Sequence, residues 1–164
     1  MTKPVLVAYA TKRGSTREVA EAIGAKLREY GLDVDVRTAE EPGTLAPYCA
    51  VVLGGALYMG RLHRDARRFL TSHRDALLQL PVAVFAMGPL TTSDDDVAGA
   101  RKQLDAALGA VGELRPVSTA IFGGVVDPAK LRFPFNHMPA GDARDWAAIR
   151  AWAANLALGA PVAA

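Results

Sequence analysis

The amino-acid sequence predicts an α/β fold, a doubly wound five-stranded parallel sheet in the order 2-1-3-4-5 with helices on both faces. Short apolar runs alternate along the chain with longer segments in which apolar residues recur at helical spacing. Most of these runs are apolar throughout, as is typical of strands covered on both faces. The 164 residues are enough for one such domain with a substantial core.

Strand composition recurs in short segments bounded by glycine, proline or polar residues. The first, Pro4–Ala10, reads PVLVAYA and is expected at the centre of the sheet. The second alternates polar and apolar residues, which indicates a half-exposed edge strand. The predicted strands are Pro4–Ala10, Asp33–Thr38, Cys49–Gly54, Val82–Met87 and Val117–Phe122.

Helical spacing fills the intervals between these strands. Val19, Ile23 and Leu27 recur on one helical face, and Gly31 suits the end of that helix. Ser93, followed by three aspartates, is a favourable helix start. The predicted helices are the segment after Thr16 to about Tyr30, Arg64–Leu77, Ser93 to about Leu108, and Asp142 or Asp145 to Leu158. The segment Val125–Gly141 is irregular and receives no predicted role.

Composition excludes several classes of protein. Nineteen basic and seventeen acidic residues give a net charge of +2, which does not indicate a nucleic-acid-binding protein. The single cysteine, Cys49, excludes an internal disulfide framework and a cysteine-rich zinc site. No apolar run approaches the ~20 residues of a transmembrane helix. We therefore expect a cytoplasmic single domain over residues 1–158 with a frayed tail at 159–164, and no metal ligands or catalytic residues are predicted.

The loop after the first strand has the composition of a phosphate site. Its hydroxyl groups can donate to phosphate oxygens, and backbone amides around Gly14 can point the same way at a helix start. Neither the nucleoside-triphosphate loop pattern nor the dinucleotide fingerprint occurs here. The alternative is an ordinary helix start capped by Ser15 or Thr16. The residues assigned to the phosphate are Thr11, Lys12, Arg13, Gly14, Ser15 and Thr16.

This loop, YATKRGST, resembles the FMN-phosphate loop of flavodoxins, whose general form is T/S-x-T-G-x-T. Thr11, Gly14 and Thr16 match that form, while Arg13 stands where the family often has threonine. VVLGGALYMGRLH is similar to the second flavin loop of the bacterial menaquinone-dependent protoporphyrinogen oxidases, and IFGGVVDPAKLRFPFNHM is similar to their segment after strand five. The oxidases carry a longer basic insertion where this chain has only Lys130–Gly141. The resemblance thus implies a flavodoxin-like fold and FMN rather than a particular substrate.

The resemblance also implies contacts to the flavin ring from the second and third loops. We expect Gly54 and Gly55 to allow close approach of the ligand, Tyr58 to stack on the ring, and amides after the fourth strand to serve its pyrimidine edge. A tight turn and ordinary packing are the alternatives for the glycines and the tyrosine. The assigned residues are Gly55, Ala56, Leu57, Tyr58, Met59, Gly60, Arg61, Met87, Gly88, Pro89 and Leu90.

Arginines concentrate in and after the second loop, at Arg61, Arg64, Arg67 and Arg68. They form either a solvated face or a docking surface for a redox partner protein or a quinone-type acceptor. We further expect His73 on the apolar side of its helix.

The leading interpretation is an FMN-binding redox protein, either an electron carrier or a small flavin oxidoreductase. One alternative is an enzyme like the protoporphyrinogen oxidases, passing electrons to a quinone. Another is a non-redox phosphate- or nucleotide-binding module on the same fold.

Overall fold

Parallel strands form the centre of the fold in the predicted order. The structure is a computed structural model that describes residues 3–11, 14–40, 43–58, 60–88, 93–126, 141–142 and 144–159. The main sheet has the order β2-β1-β3-β5-β6, with β4 paired only to β3. Without β4 this is the order 2-1-3-4-5, so the predicted topology is confirmed. The elements are β1 (Val5–Ala10), α1 (Ser15–Glu29), β2 (Val34–Thr38), β3 (Ala50–Tyr58), β4 (Arg61–Leu62), α2 (Arg64–Ser72), α3 (Arg74–Leu77), β5 (Val82–Met87), α4 (Asp94–Gly109), β6 (Ser118–Phe122), β7 (Val125–Val126), β8 (Gly141–Asp142) and α5 (Trp146–Gly159).

The sheet is buried on both faces because alternate residues of each central strand enter different cores. Leu6 and Ala8 of β1 pack with α2 and α4, whereas Val5 and Val7 pack with α1 and α5. The continuous apolar run at the start of the chain therefore meets two layers of helix, as the sequence predicted. On the second face, Trp152 anchors α5 against the sheet through edge-on contacts with two phenylalanine rings.

Several predicted boundaries are wrong, and each has a local cause. The third strand does not end at Gly54 but continues to Tyr58, because its last two residues pair with β4 in a hairpin. The helix predicted over Arg64–Leu77 is divided at His73, which closes α2 and precedes the short α3. The region Val125–Gly141 is not wholly irregular, since β7 at its start pairs with β8 at its end.

The last helix begins after Asp145, one of the two predicted starts. The carboxylate of Asp145 accepts a hydrogen bond of 3.0 Å from the amide of Ala148, whereas Asp142 belongs to β8. The tail from residue 160 onward lies outside the described residues. No helix in the described part of the chain is both long and apolar enough to cross a membrane.

Candidate functional site

The candidate site lies at the carboxyl edge of the sheet, where β1 has β2 on one side and β3 on the other. Loops that leave neighbouring strands in opposite directions open a crevice at such a point. In the register of β1 and β3, Ala10 pairs with Gly55, so the loop after β1 begins beside the extension of β3. The chain order alone thus brings the first two predicted loops together.

The start of α1 has no side-chain cap. Gly14 is the N-cap residue with a φ of 91°, a left-handed conformation that glycine adopts without strain. Its amide donates a 2.9 Å hydrogen bond to Oγ1 of Thr11, which closes the loop. The alternative in which Ser15 or Thr16 caps the helix is therefore wrong, because both residues lie inside it. The first amides of α1 and the hydroxyl groups of Ser15 and Thr16 can therefore donate hydrogen bonds to an acceptor on a ligand.

Thr16 is the polar side chain of this loop that the fold buries completely. Its exposed fraction is 0%, and its Oγ1 has no hydrogen-bond partner among the described residues. Leaving a buried hydroxyl unsatisfied costs about 1–3 kcal/mol. An anionic oxygen bound at the start of α1 would supply the missing acceptor, so the described loop residues fit the phosphate that the resemblance implies. Lys12 and Arg13 lie outside the described residues.

Thr38 was not singled out by sequence reasoning, although its Oγ1 is also buried and without a partner in the described part of the chain. It ends β2 in register with Tyr9 of β1, at the same edge of the sheet. A threonine at the end of an edge strand is common, so the sequence carried no signal that could have found it.

The second predicted loop is a β-hairpin. Tyr58 pairs with Arg61 and Leu57 with Leu62, and Gly60 turns the chain at a φ of 79°. The carbonyl of Ala56 accepts a 2.8 Å hydrogen bond from the amide of His63, which fastens the hairpin to the start of α2. Arg61 at its end is exposed, whereas Leu57 is half-buried against the core. Met59 falls outside the described residues.

A side chain added at either of the two glycines of β3 would meet protein atoms, so packing alone accounts for glycine at both positions. A Cβ on Gly54 would lie 1.9 Å from Cζ of Phe85, the residue opposite it in β5. A Cβ on Gly55 would lie 2.8 Å from Leu62 and 3.0 Å from Cβ of Ala66. Both glycines are thus explained by packing, and the assignment of Gly55 to the flavin stays a prediction.

The third predicted loop is only partly available to a ligand. Met87 is 1% exposed, and its side chain belongs to the core beside α1 and α5. The amide of Gly88 already donates to the carbonyl of Phe122 at 3.1 Å, and the assignment of Gly88 to the ring stays a prediction. Pro89 and Leu90 lie outside the described residues.

The predicted basic cluster is brought together by the structure. A groove of about 790 Å³ extends from the hairpin between α2 and α4 and is lined by all four arginines. Nε of Arg67 donates a 2.9 Å hydrogen bond to the carbonyl of Leu62 and so ties α2 to β4. His73 is half-buried with its ring centroid 4.8 Å from that of Phe69, and burial lowers its pKa. This agrees with the apolar side predicted for it.

Arg144 is a second residue that sequence reasoning missed. Its side chain is 10% exposed and donates two hydrogen bonds to Asp142, at 2.9 and 2.7 Å, and one of 2.7 Å to Glu18. The hydrogen bonds to Arg144 lower the pKa of Asp142. Nη1 also approaches the carbonyl of Ser15 at 3.5 Å, so this arginine holds the segment before α5 against the first turn of α1.

Comparison with known proteins agrees with this architecture. The family model described as "Flavodoxin domain" matches residues 6–138. A cysteine-to-serine mutant of flavodoxin from Pseudomonas aeruginosa superposes with a TM-score of 0.62 at 20% identity, covering 94% of this chain and 97% of that one. Rubredoxin oxygen:oxidoreductase from Desulfovibrio gigas superposes with a TM-score of 0.66 at 16% identity, over 96% of this chain and 36% of the other.

Among curated proteins, protoporphyrinogen IX dehydrogenase [quinone] from Escherichia coli K12 is 31% identical over 85 residues. The match covers 50% of this chain and 46% of that protein, so the chain spans about half the length of this relative. The family match, in contrast, extends over most of the sheet and its crossover helices. The chain therefore belongs to the flavodoxin domain family.

Proposed function

We propose that this protein binds FMN and works as a redox protein, either as an electron carrier or as a small flavin oxidoreductase. The observation that carries the proposal is the buried, unpartnered hydroxyl of Thr16 in the first turn of a helix without a side-chain cap. It stands beside Thr11, Gly14 and Ser15 at the switch point of a doubly wound sheet, where such folds bind their ligands. The family membership supports the same conclusion.

Different described residues would contact the phosphate end and the ring end of FMN. The hydroxyls of Thr11, Ser15 and Thr16 and the first amides of α1 would hold the phosphate, since charge-assisted hydrogen bonds are the strong ones. The hairpin from Ala56 to Arg61 would flank the ring, because it protrudes beside the phosphate loop. FMN, when bound, supplies the electron chemistry, and the protein orients it and sets the surrounding charge.

A second candidate function is oxidation of a porphyrinogen with a quinone as acceptor. It is favoured by the 31% identity to protoporphyrinogen IX dehydrogenase from Escherichia coli. The match covers 46% of that relative, so a porphyrinogen substrate and a quinone acceptor are proposals for this chain. A cytoplasmic location is likewise part of the proposal.

The absorption spectrum of the purified protein tests the proposed function. We expect flavin bands, release of FMN on denaturation, and one FMN bound per chain when the apoprotein is titrated. FAD should bind less well, since the described loops offer one phosphate site and no second glycine-rich loop for an adenylate half. A colourless protein that ignores added FMN would contradict the proposal and favour the non-redox phosphate-binding module.

A further inference from the structure

The arginine groove between α2 and α4 is a distinct surface outside the phosphate loop. One wall is the hairpin end and α2, and the other is formed by Gln103, Ala106 and Ala107 of α4 with Ala110 at its C-terminal end. The alanine side chains are short and carry no charge. Four positive charges thus share one side of a chain whose net charge is only +2. The four are Arg61, Arg64, Arg67 and Arg68.

Within the described part of the chain these charges have little neutralisation on the side that faces α4. None of the described residues that line the groove is acidic. Arg61 and Arg68 form no ion pair with any described residue. The side chain of Arg64 is 81% exposed, and its Nε lies 4.0 Å from the carboxylate of Asp65. Asp65 itself is 15% exposed and lies against His63. Arg64 and Arg68 also line an adjoining cavity that contains Glu40 and Asp65, so positive charge predominates on the side of α2 that faces α4.

The acidic residues of α4 are not among the described residues that line this groove. Gln103, Ala106, Ala107 and Ala110 recur at i, i+3, i+4 and i+7, a spacing that defines one helical face. Asp105 lies off that face. Asp96 shares that face but lies about 10 Å from Gln103 along the helix axis, and Asp94 and Asp95 lie farther away.

We propose that this groove docks the acidic face of a redox partner protein. The inference rests on the proposed function, because the docked partner would exchange electrons with FMN. Its position suits that exchange: the groove begins at Gly60 and Arg61, the turn of the hairpin that extends β3 at the carboxyl edge of the sheet. A partner seated on the arginines would therefore touch the element that flanks the ring.

The shape of the groove favours a protein over a small anion. Arg64, Arg67 and Arg68 fall within just over one turn of α2, at positions i, i+3 and i+4, and form a patch on one side of that helix. Two of these three are exposed, and Arg67 is already partly engaged by the carbonyl of Leu62. Small-molecule sites enclose most of their ligand between apolar walls, which this open, arginine-lined surface does not do. Steering by surface charge is instead typical of rapid protein encounters.

The test uses the FMN-loaded protein and a reduced plant-type ferredoxin as the acidic probe. Each ferredoxin is oxidised by one electron, and two electrons with protons from solvent reduce one FMN. The test variant is Arg64→Glu with Arg68→Glu, and its matched control is Lys3→Glu with Arg150→Glu, which makes the same change in net charge on other exposed positions. Ferredoxin affinity is measured by thermophoresis, which needs no flavin signal, and electron transfer by stopped flow.

We expect the groove variant to lose about tenfold or more in affinity and in rate at low salt, with a smaller loss at high salt, because steering is screened by ions. The neutral pair Arg64→Gln with Arg68→Gln should lose less, and the control should change by no more than about twofold. Equal losses in groove variant and control would overturn the proposal. So would tight binding of inorganic pyrophosphate that is lost only in the groove variant, which would make the groove a small-anion site. FMN titration of each variant separates failure of the docking surface from failure of the proposed function.

Discussion

Arg144 donates a hydrogen bond of 2.7 Å to the carboxylate of Glu18, across 126 residues of sequence. Glu18 lies in the first turn of α1, and Arg144 stands just before α5. The same guanidinium pairs with Asp142 and lies 4.8 Å over the ring of Trp146. One side chain thus connects β8 and the start of α5 to the first turn of α1, the helix that follows the loop after β1.

Replacing Arg144 should therefore destabilise the protein. We expect Arg144→Met to lower the free energy of unfolding by roughly 1–2 kcal/mol, since the arginine is buried but its partners are half-exposed and can be hydrated. Urea denaturation measures this change. Arg150→Met, at an exposed position of α5, is the matched control and should stay within about 0.5 kcal/mol. Equal effects of the two changes would contradict a specific role for Arg144.

The pH dependence of stability should report on His73. Burial lowers its pKa in the folded state below the ordinary value of 6.5, so the unfolded chain takes up the proton first as the pH falls. The contribution is fully present above pH 6.5 and is lost as the pH falls from there towards the folded pKa. We expect His73→Gln to lose less stability than the parent between pH 7 and about pH 5 in urea titrations. Identical slopes for the two proteins would show that His73 is not the titrating group.

Thr16→Val should have opposite effects on stability and on cofactor binding. Valine has nearly the same shape but no hydroxyl, so the apoprotein should gain about 1 kcal/mol by losing an unsatisfied buried group. FMN should bind roughly 10- to 100-fold more weakly, because a charge-assisted hydrogen bond to phosphate is lost. Fluorescence titration measures the affinity, and Thr16→Ala should weaken FMN similarly.

Riboflavin, which lacks the phosphate, is the matched ligand for this experiment. Its affinity should be nearly unchanged by Thr16→Val. Equal losses for FMN and riboflavin would show that the hydroxyl does not serve the phosphate.

Gly54 should tolerate no side chain while Phe85 is present. We expect Gly54→Ala to lower the free energy of unfolding by about 3 kcal/mol or more through overpacking. Adding Phe85→Leu should recover part of the loss, because the two positions share one space. Gly99→Ala on α4, where nothing lies within 4 Å of the new Cβ, is expected to stabilise by about 0.5–1 kcal/mol. A neutral Gly54→Ala would show that the sheet relaxes there.

The sheet could be predicted from the sequence because its evidence is local. Runs such as Pro4–Ala10 contain in themselves the information that both faces are buried, and the alternation of strands and helices limits the topology. The turn from β1 into α1 was also predictable, because Gly14 and the hydroxyls around it are adjacent in sequence, while its assignment to a phosphate stays a prediction. The structure adds what no short segment shows, namely that the hydroxyl of Thr16 is buried and unpartnered.

The remaining site features depend on contacts between distant segments. The requirement for glycine at position 54 comes from the ring of Phe85 on the neighbouring strand, so the sequence alone suggested a turn or a ligand. Leu57 and Tyr58 were predicted as loop because a Gly-Gly pair usually interrupts a strand, yet pairing with β4 extends it. Arg144 belongs to no motif, and its role depends on Glu18 at the other end of the chain.

The charge of Arg61 should set the reduction potential of bound FMN. Reduction places negative charge on the pyrimidine side of the ring, and a nearby cation stabilises that charge whereas an acidic surround opposes it. Arg61 is exposed, ends the hairpin beside the proposed ring site, and forms no ion pair with any described residue. We therefore expect a fully reduced couple less negative than in flavodoxins with acidic surroundings, and a fall of tens of millivolts in Arg61→Glu because solvent and salt screen an exposed charge.

Spectroelectrochemical titration of the FMN-loaded protein measures this potential. Arg150→Glu makes the same charge change on α5 and should leave the potential nearly unaltered, since its exposed side chain lies on another face of the chain. Affinity for oxidised FMN should change little in either variant, because neither residue belongs to the loop after β1 and the charge of Arg61 acts mainly on the reduced ring. An unchanged potential in Arg61→Glu would place this guanidinium away from the ring. Arg61 would then act only in docking a partner, as one of the arginines that line the groove.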